Sequence, residues 1–306
     1  MTVIARKLHT LFHTPRIFMK KFAATPLFRL LPDKTALKIQ YRNVFLRKLD
    51  LENPKTFNEK LQWLKLYNRR PEYTTMVDKY EAKKYVASII GEEYIIPTLG
   101  VYDSFDEIDF DALPEQFVLK CTHGSGDVVI CRDKQTFDKE SARSKLTRAL
   151  KTDYYKIGRE WPYKNVPRRI IAEKYMTPSG SDDINDYKFF CFDGKPEMLF
   201  VATNRTVDCK FDFFDMDFNH LDIENIHPRA SQCILKPLQF ELMKDLAAKL
   251  SNGLCAARID FYEIGNEVFF GEITLFHAGG FSIFHPDEWD LKLGNMIVLP
   301  ERYTGR

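Results

Sequence analysis

Arg258, Asp260, Glu272 and Thr274 are the residues of this sequence whose types and spacing best suit chemistry. They flank Gly265-Asn266 in the run 257–274, where apolar and polar residues alternate as a β-hairpin requires. Ala257, Ile259 and Phe261 on one arm, with Phe269, Gly271 and Ile273 on the other, would form an apolar face. The four polar residues share the opposite face only if the turn pairs even-numbered positions with even ones. A three-residue loop at 264–266, or its bulged variant, gives that register, whereas a strict two-residue loop puts Glu272 on the wrong side. Two carboxylates and a hydroxyl oxygen suit Mg2+, a hard cation that takes oxygen ligands alongside phosphate, and an arginine beside them suits the phosphate. The same pattern also describes a solvated hairpin face on which Arg258 simply pairs with Glu272.

A second candidate lies upstream. Lys120 ends the apolar run Phe117-Val118-Leu119 and is followed by Cys121-Thr122-His123-Gly124-Ser125-Gly126-Asp127. A glycine-rich loop lets backbone N–H groups approach phosphate oxygens, and Lys120 adds a point charge. The spacing is not a P-loop, and Val129 breaks a G-x-G-x-x-G pattern. A plain hairpin loop fits equally well. Further on, Ile170-Ile171-Ala172-Glu173-Lys174-Tyr175-Met176 reads as an apolar strand ending in a charged pair, able to offer backbone groups to an adenine edge, or simply as a strand end.

The elements that must hold these groups follow from local signals. Thr56-x-x-Glu59 is a capping box that opens a helix with Phe57, Leu61, Leu64 and Tyr67 or Trp63 inward. A second helix is expected over 75–90, stopped by Gly91 and carrying Asp78, Lys79 and Lys83. A long helical region is expected at 139–157, a strand at 169–176, further strands at 187–192, 197–203 and 210–215, and a helix at 240–250. Ahead of these, Pro15, Pro26 and Pro32 break residues 1–50 into short amphipathic pieces with Ile4, Leu8, Leu11 and Phe12, then Phe18 and Phe22, then Leu27, Leu30 and Leu31. This stretch carries 11 Lys and Arg against 2 Asp and Glu, so a net charge of only +2 over 306 residues divides into a +9 arm and a −7 body. Such an arm can lie on an anionic membrane surface through residues 1–31 or pack on the acidic body.

Hydrophobic content of 44% and charged content of 29% are those of a globular chain. No apolar run approaches the roughly 20 residues of a membrane span, and no apolar h-region follows Arg6 and Lys7. The six cysteines show no C-x-x-C spacing, as expected of reduced thiols in a cytoplasmic protein. Nothing matches a nucleic-acid-binding module, and no nucleic acid is expected as a partner.

Taken in order, Asp78-Lys79, Lys120 with its glycine loop, Glu173 to Met176, Arg258-x-Asp260 and Glu272-x-Thr274 resemble the motif series of the ATP-grasp superfamily. The phrases at 56–65, 117–126, 186–194 and 211–217 further resemble its TupA-like branch, associated with bacterial surface-polysaccharide biosynthesis, over roughly residues 50–300. The resemblance implies an α+β ATP-grasp fold, with ATP between two α+β lobes, preceded by a basic helical N-terminal arm. Its implied divisions are an arm at 1–50, an N-terminal segment at 51–115, a small lobe at 116–176 and a catalytic lobe at 177–306. Lys79 and Lys120 would contact phosphates or adenine, and Gly124, Ser125 and Gly126 would close over the γ-phosphate. Glu173, Lys174, Tyr175 and Met176 would hold the adenine, and Asp186, after a polar loop at 177–185, would hold the ribose. Asp260 and Glu272 would bind Mg2+, with Thr274 where many members have Asn.

The implied chemistry is ATP- and Mg2+-dependent joining of a carboxylate to an amine through an acylphosphate. Arg258 would offset phosphoryl charge with Ser125 over the γ-phosphate, and Lys188, Arg205 and Lys210 would be candidates for holding the acidic partner. For a polysaccharide pathway that partner would be an acidic sugar or polysaccharide precursor, and the other an amine or amino acid, on the cytoplasmic face of the membrane. Two other readings stay open. Asp215-Met216-Asp217 is a D-x-D run of the kind glycosyltransferases use to hold a nucleotide sugar through Mn2+, and a non-catalytic nucleotide-binding scaffold would tolerate the threonine at 274. His277 could act as a base for the amine, and Ala278-Gly279-Gly280 could admit substrate to the backbone or form a turn.

Overall fold

A computed structural model of the chain describes residues 25–177, 184–205 and 207–302. The amphipathic pieces expected within residues 1–24, and most of the polar loop expected at 177–185, lie outside the described residues. After a short turn α1 (Pro26–Arg29), helix α2 (Asp33–Phe45) packs on the body. Buried Arg159 binds the carbonyls of Phe28 and Leu31 at 2.7 and 3.1 Å and the Asp33 carboxylate at 3.3 Å, and Arg69 binds Asp33 at 2.7 Å. For the described part of the arm, packing on the body is the reading that holds.

The capping box opens α3 (Phe57–Tyr67): the Thr56 hydroxyl accepts from Glu59 N, and the Glu59 carboxylate accepts from Thr56 N. Phe57, Leu61, Trp63 and Leu64 are buried. The expected helix over 75–90 is two helices, α4 (Glu72–Val77) and α5 (Glu81–Ile90). Asp78 causes the break, because its carboxylate takes the amides of Tyr80 and Glu81 and pairs with Arg169 at 2.9 Å, offering the backbone an alternative to the helical ladder. The region expected as one helix at 139–157 is likewise α6 (Lys139–Leu150) and α7 (Tyr155–Gly158). Thr152 ends α6 by bonding back to Ala149 and Arg148, and its own carbonyl contacts the His123 ring at 3.3 Å. That contact braces the glycine loop.

Two antiparallel sheets form the lobes. The smaller runs β1-β4-β2-β3, from β1 (Thr98–Tyr102), β2 (Phe117–Cys121), β3 (Val129–Cys131) and β4 (Ile170–Lys174). The larger runs β11-β10-β5-β6-β7-β8, from β5 (Asp186–Phe192), β6 (Lys195–Thr203), β7 (Lys210–Phe214), β8 (His220–Leu221), β10 (Ala257–Ile264) and β11 (Glu267–Thr274). A bridge-like pair, β9 (Glu224–Asn225) and β12 (Phe284–His285), lies apart from both sheets. Each sheet buries its own core. Phe105, Leu113, Phe117, Leu119, Leu146 and Ile170 cluster on the small one. Phe189, Phe200, Phe213 and Phe261 cluster on the large one with α3, α8 (Phe240–Ser251) and α9 (Glu288–Met296). Because β1 and its following turn belong to the small core, that lobe draws on residues well before position 116. All six cysteines are free thiols.

Candidate functional site

The hairpin turn is the strict two-residue kind: Ile264 pairs with Glu267 and Tyr262 with Phe269. Left alone, this register would carry Glu272 to the wrong face, and of the two turns open from sequence the three-residue one is not formed. A bulge corrects it. Phe261 pairs with Phe270 and Asp260 with Glu272, so Gly271 is extra, and from there Arg258 pairs with Thr274. The apolar face changes accordingly, with Phe270 rather than Phe269 opposite Phe261.

On the polar face Arg258 is the hub. Its Nε and Nη2 donate to the two Asp260 oxygens at 2.7 and 2.8 Å, its Nη2 also donates to Thr274 Oγ1 at 3.0 Å, and its Nη1 meets His277 Nδ1 at 2.9 Å. Lys188, facing Asp260 from β5, bridges Asp260 at 2.5 Å and Asp186 at 2.6 Å, and Arg205 meets Asp186 at 3.3 Å. Burial pushes the Asp260 carboxyl up, but Arg258 and Lys188 outweigh it and hold it at about 2. Burial likewise opposes the Arg258 charge, and Asp260 reverses this, holding the guanidinium above its ordinary range. Arg258 is thus a fixed cation. His277, with Arg258 on Nδ1 and Asn225 Oδ1 at 3.4 Å from Nε2, orients Arg258 instead of standing free as a base.

Across the cleft, Lys79 donates to the Gly124 carbonyl and lies 3.8 Å from Glu272. Its backbone N–H bonds Thr122 O, which fastens the α4–α5 junction to the glycine loop. Asp127 shapes that loop by accepting from Cys121 N at 2.6 Å, and Gly126 takes φ +86°, a left-handed conformation that favours glycine. Ser125 is exposed at its tip. Glu173 is buried and pairs with Lys120 and Lys83, both at 2.5 Å. Burial would raise its pKa, yet the two lysines lower it. Its carboxylate therefore positions cations. Lys174 is exposed beyond it, and Tyr175 and Met176 lie past the end of β4, with the Tyr175 hydroxyl accepting from Arg132. Lys210 begins β7 and pairs at 2.8 Å with exposed Asp208, apart from the Arg258 group.

Between the lobes is a cavity of about 410 Å3 that Ser125, Lys188, Arg258, Glu272 and Thr274 all line. Lys79, Lys83, Lys120 and Glu173 line a smaller adjoining cleft with Glu272. The structure thus brings the loop tip, the lysine pair and Glu272 to one place, with Asp260 buried behind Arg258 and Lys188.

A family model described as TupA-like ATPgrasp matches residues 59–298. The chain belongs to the TupA-like ATP-grasp family. No curated protein matches it. Among solved structures it is similar to D-alanine–D-alanine ligase from Bacillus anthracis complexed with ATP, at 18% identity and TM-score 0.42, covering 73% of this chain and 63% of that one. The corresponding ligase from Helicobacter pylori gives 16% and 0.40, covering 81% and 70%. The ATP-grasp ligase PsnB complexed with minimal precursor, Mg and ADP gives 10% and 0.38, covering 79% and 62%.

For an ATP-grasp chain, Mg2+ is the implied ion. Among the described residues no group of three or more His, Cys, Asp or Glu side chains is placed to hold a metal ion by itself. Asp260 and Glu272 are nonetheless opposed in the ladder beside the Thr274 hydroxyl, an all-oxygen donor set of the kind Mg2+ takes when phosphate oxygens complete its shell. The set fits in kind, with Glu272 the less engaged carboxylate. The D-x-D run does different work. Asp215 accepts from the amides of Asp217 and Asn219 at 2.9 and 2.8 Å and so builds the turn after β7.

Sequence reasoning missed several residues of this site. Lys83 is read from sequence as a helix residue but not as part of the cleft, Lys65 and Tyr154 fall in expected helices with nothing to mark them as site residues, and Glu160 and Tyr163 come from a segment without periodicity or motif. Gln40, which lines the same cavity, comes from the arm.

Proposed function

We propose that this chain is an ATP- and Mg2+-dependent ligase that joins a carboxylate to an amine through an acylphosphate. The observation that carries the reading is the Arg258 hub, a permanently charged guanidinium locked by Asp260, Thr274 and His277 at the wall of an interlobe cavity, facing the glycine loop. Phosphoryl transfer needs fixed positive charge and positioning more than covalent help from the protein. Lys79, Lys120 and the amides around Ser125 suit the polyphosphate, and Asp260, Glu272 and Thr274 would hold Mg2+. Bound there, Mg2+ would neutralise charge on the transferring phosphoryl group.

In the proposed sequence a substrate carboxylate oxygen attacks the γ-phosphorus and ADP leaves. The amine nitrogen then attacks the acyl carbon, expelling inorganic phosphate and losing a proton. Arg258 stabilises charge on the phosphoryl oxygens, Lys188 offers a second cation toward the carboxylate, and the Ser125 loop limits water. The acceptor is proposed to be an acidic sugar or polysaccharide precursor, handled at the cytoplasmic face of a membrane, as the TupA-like branch suggests. Among the described residues no helix is long and apolar enough to cross a membrane.

The test is ADP release with Mg2+ and ATP across uronic acids paired with amino acids, with mass spectrometry of the product. ADP formation that requires both partners, with an amide product short of one water, supports the ligase. Absence of ATP binding by the full-length chain removes it.

A further inference from the structure

The interlobe cavity holds a charged group that the phosphoryl chemistry leaves unused. Glu160 lines it, only 8% exposed, yet its carboxylate takes no hydrogen bond and no ion pair among the described residues. The nearby buried cation does not satisfy it. The Lys65 ammonium spends its three N–H donors on Gln62 Oε1 at 3.0 Å, Gly158 O at 2.8 Å and Gly279 O at 2.6 Å. Its oxygens open onto the cavity and are not sealed among protein atoms, so a carboxylate that lacks a protein donor there is placed to take one from a ligand.

The site is also held in place. Arg159, just before Glu160, is fully buried, takes the left-handed φ of +54°, and is tied by its guanidinium to Phe28, Leu31 and Asp33. On the other side the Glu160 carbonyl accepts from Tyr163 N at 3.1 Å. Tyr154 and Tyr163 stand beside the carboxylate in the cavity wall, while the Phe276 and Phe281 rings face the Lys65 ammonium and the Phe200 ring faces the Arg258 guanidinium. A carboxylate beside tyrosine rings is good ammonium chemistry, since the charge pairs and the ring faces add cation–π attraction. Arg258 and Lys188, in the same cavity, suit the anionic partner.

We propose that Glu160 anchors the ammonium group of the amine substrate in this aromatic-walled part of the cavity, an assignment that rests on the ligase reading for the identity of its ligand. Glu160 thereby selects a cationic amine over a neutral nucleophile of the same shape, and its carboxylate takes one proton from the bound ammonium so that the free amine is what attacks the acyl carbon.

Calorimetric titration of the full-length chain with benzylammonium chloride and with benzyl alcohol, at pH 8, tests this. The expected result is that the ammonium binds at least tenfold more tightly than the alcohol, and that Glu160→Gln abolishes the preference while Glu160→Asp keeps part of it. Circular dichroism verifies that each variant is folded, and the aspartate variant serves if the glutamine one is not. Equal binding of the two probes by the wild type, binding of neither, or a preference that survives Glu160→Gln overturns the proposal. Titration with ATP and Mg2+ reports separately on the ligase reading. Absent ATP binding sinks that reading, whereas a Glu160-dependent ammonium preference alongside it would leave an amine site in a protein that is not a ligase.

Discussion

Asp260 and Glu272 oppose each other across the hairpin because Gly271 stands extra to the ladder between them. Glycine relieves crowding there, since a Cβ on residue 271 would come within 3.1 Å of the Asp260 carbonyl oxygen and 3.2 Å of the Tyr262 ring. Gly271→Val should lower unfolding free energy by about 1–3 kcal/mol, the usual cost of overpacking, as read from urea titrations. Deleting Gly271 should be worse for function than for folding, because it returns Glu272 and Thr274 to the other face. ADP release should vanish in the deletion variant, and retention of activity would show that the register does not matter.

Asp260 lies under two cations, and removing its charge exposes both. Asp260→Asn keeps the shape but leaves Arg258 and Lys188 without their shared partner, with Asp186 still holding Lys188. Breaking a buried pair from one side costs about 3–5 kcal/mol, and stability should fall by that order. The pH dependence has a definite sign. With the folded-state pKa held at about 2 against an ordinary 3.8, the stabilisation is fully present above the ordinary value and is lost as pH falls through about 2. The wild-type advantage over Asp260→Asn in denaturant melts should therefore shrink below pH 4. A constant difference down to pH 2 would contradict the assignment.

Lys120 and Lys83 share Glu173, so the two lysines can be separated experimentally. Lys120→Met leaves the acid paired with Lys83, and folding should change little. Loss of a charge-assisted contact worth about 1.5–3 kcal/mol should weaken ATP binding by roughly ten- to a hundredfold. Unchanged ATP affinity, measured by calorimetry, would remove Lys120 from the phosphate site.

The sequence disclosed what is local or ordered. The Thr56 capping box, the strand–loop–strand around Gly124 and the β10–β11 hairpin all follow from neighbouring residues, and the order of the motifs points to the family that the family model matches. It was silent where a single side chain redirects the backbone. Asp78 splits a stretch of good helix formers by capturing two amides, and Thr152 closes α6 by donating its hydroxyl to Arg148 O and its amide to Ala149 O. The bulge was signalled by one feature, a glycine inside a strand, which the turn-based parity argument overlooked. The burial of Glu160 and Lys65 in one place could not be read at all. Their burial is created by segments distant in sequence, with Gly279 lying more than two hundred residues beyond Lys65.

That same pair gives the most distinctive pH behaviour. Burial pushes the Glu160 carboxyl up to about 7, with Lys65 opposing and Glu272 reinforcing the shift, and burial pulls the Lys65 ammonium down to about 8 against Glu160 and Asp33. Between the ordinary glutamate value of 4.5 and about 7 the folded state binds more protons than the unfolded one, so this group's stabilisation is lost as pH rises through that window. Between about 8 and the ordinary lysine value of 10.5 the unfolded state binds more, so stability recovers. The pair should thus cut a trough in stability centred between pH 7 and 8. Glu160→Gln should flatten the descending side and gain more than 1 kcal/mol near pH 7 relative to its value at pH 4, since one pKa unit corresponds to about 1.4 kcal/mol. Lys65→Met should flatten the ascending side. Urea titrations of the three proteins from pH 4 to pH 10 measure this directly, and a wild-type minus Glu160→Gln difference that stays flat from pH 4.5 to 7 would mean that Glu160 is not the uncompensated acid of the cavity. An amine that occupies the site should fill the trough in the wild type and leave the Glu160→Gln profile unchanged.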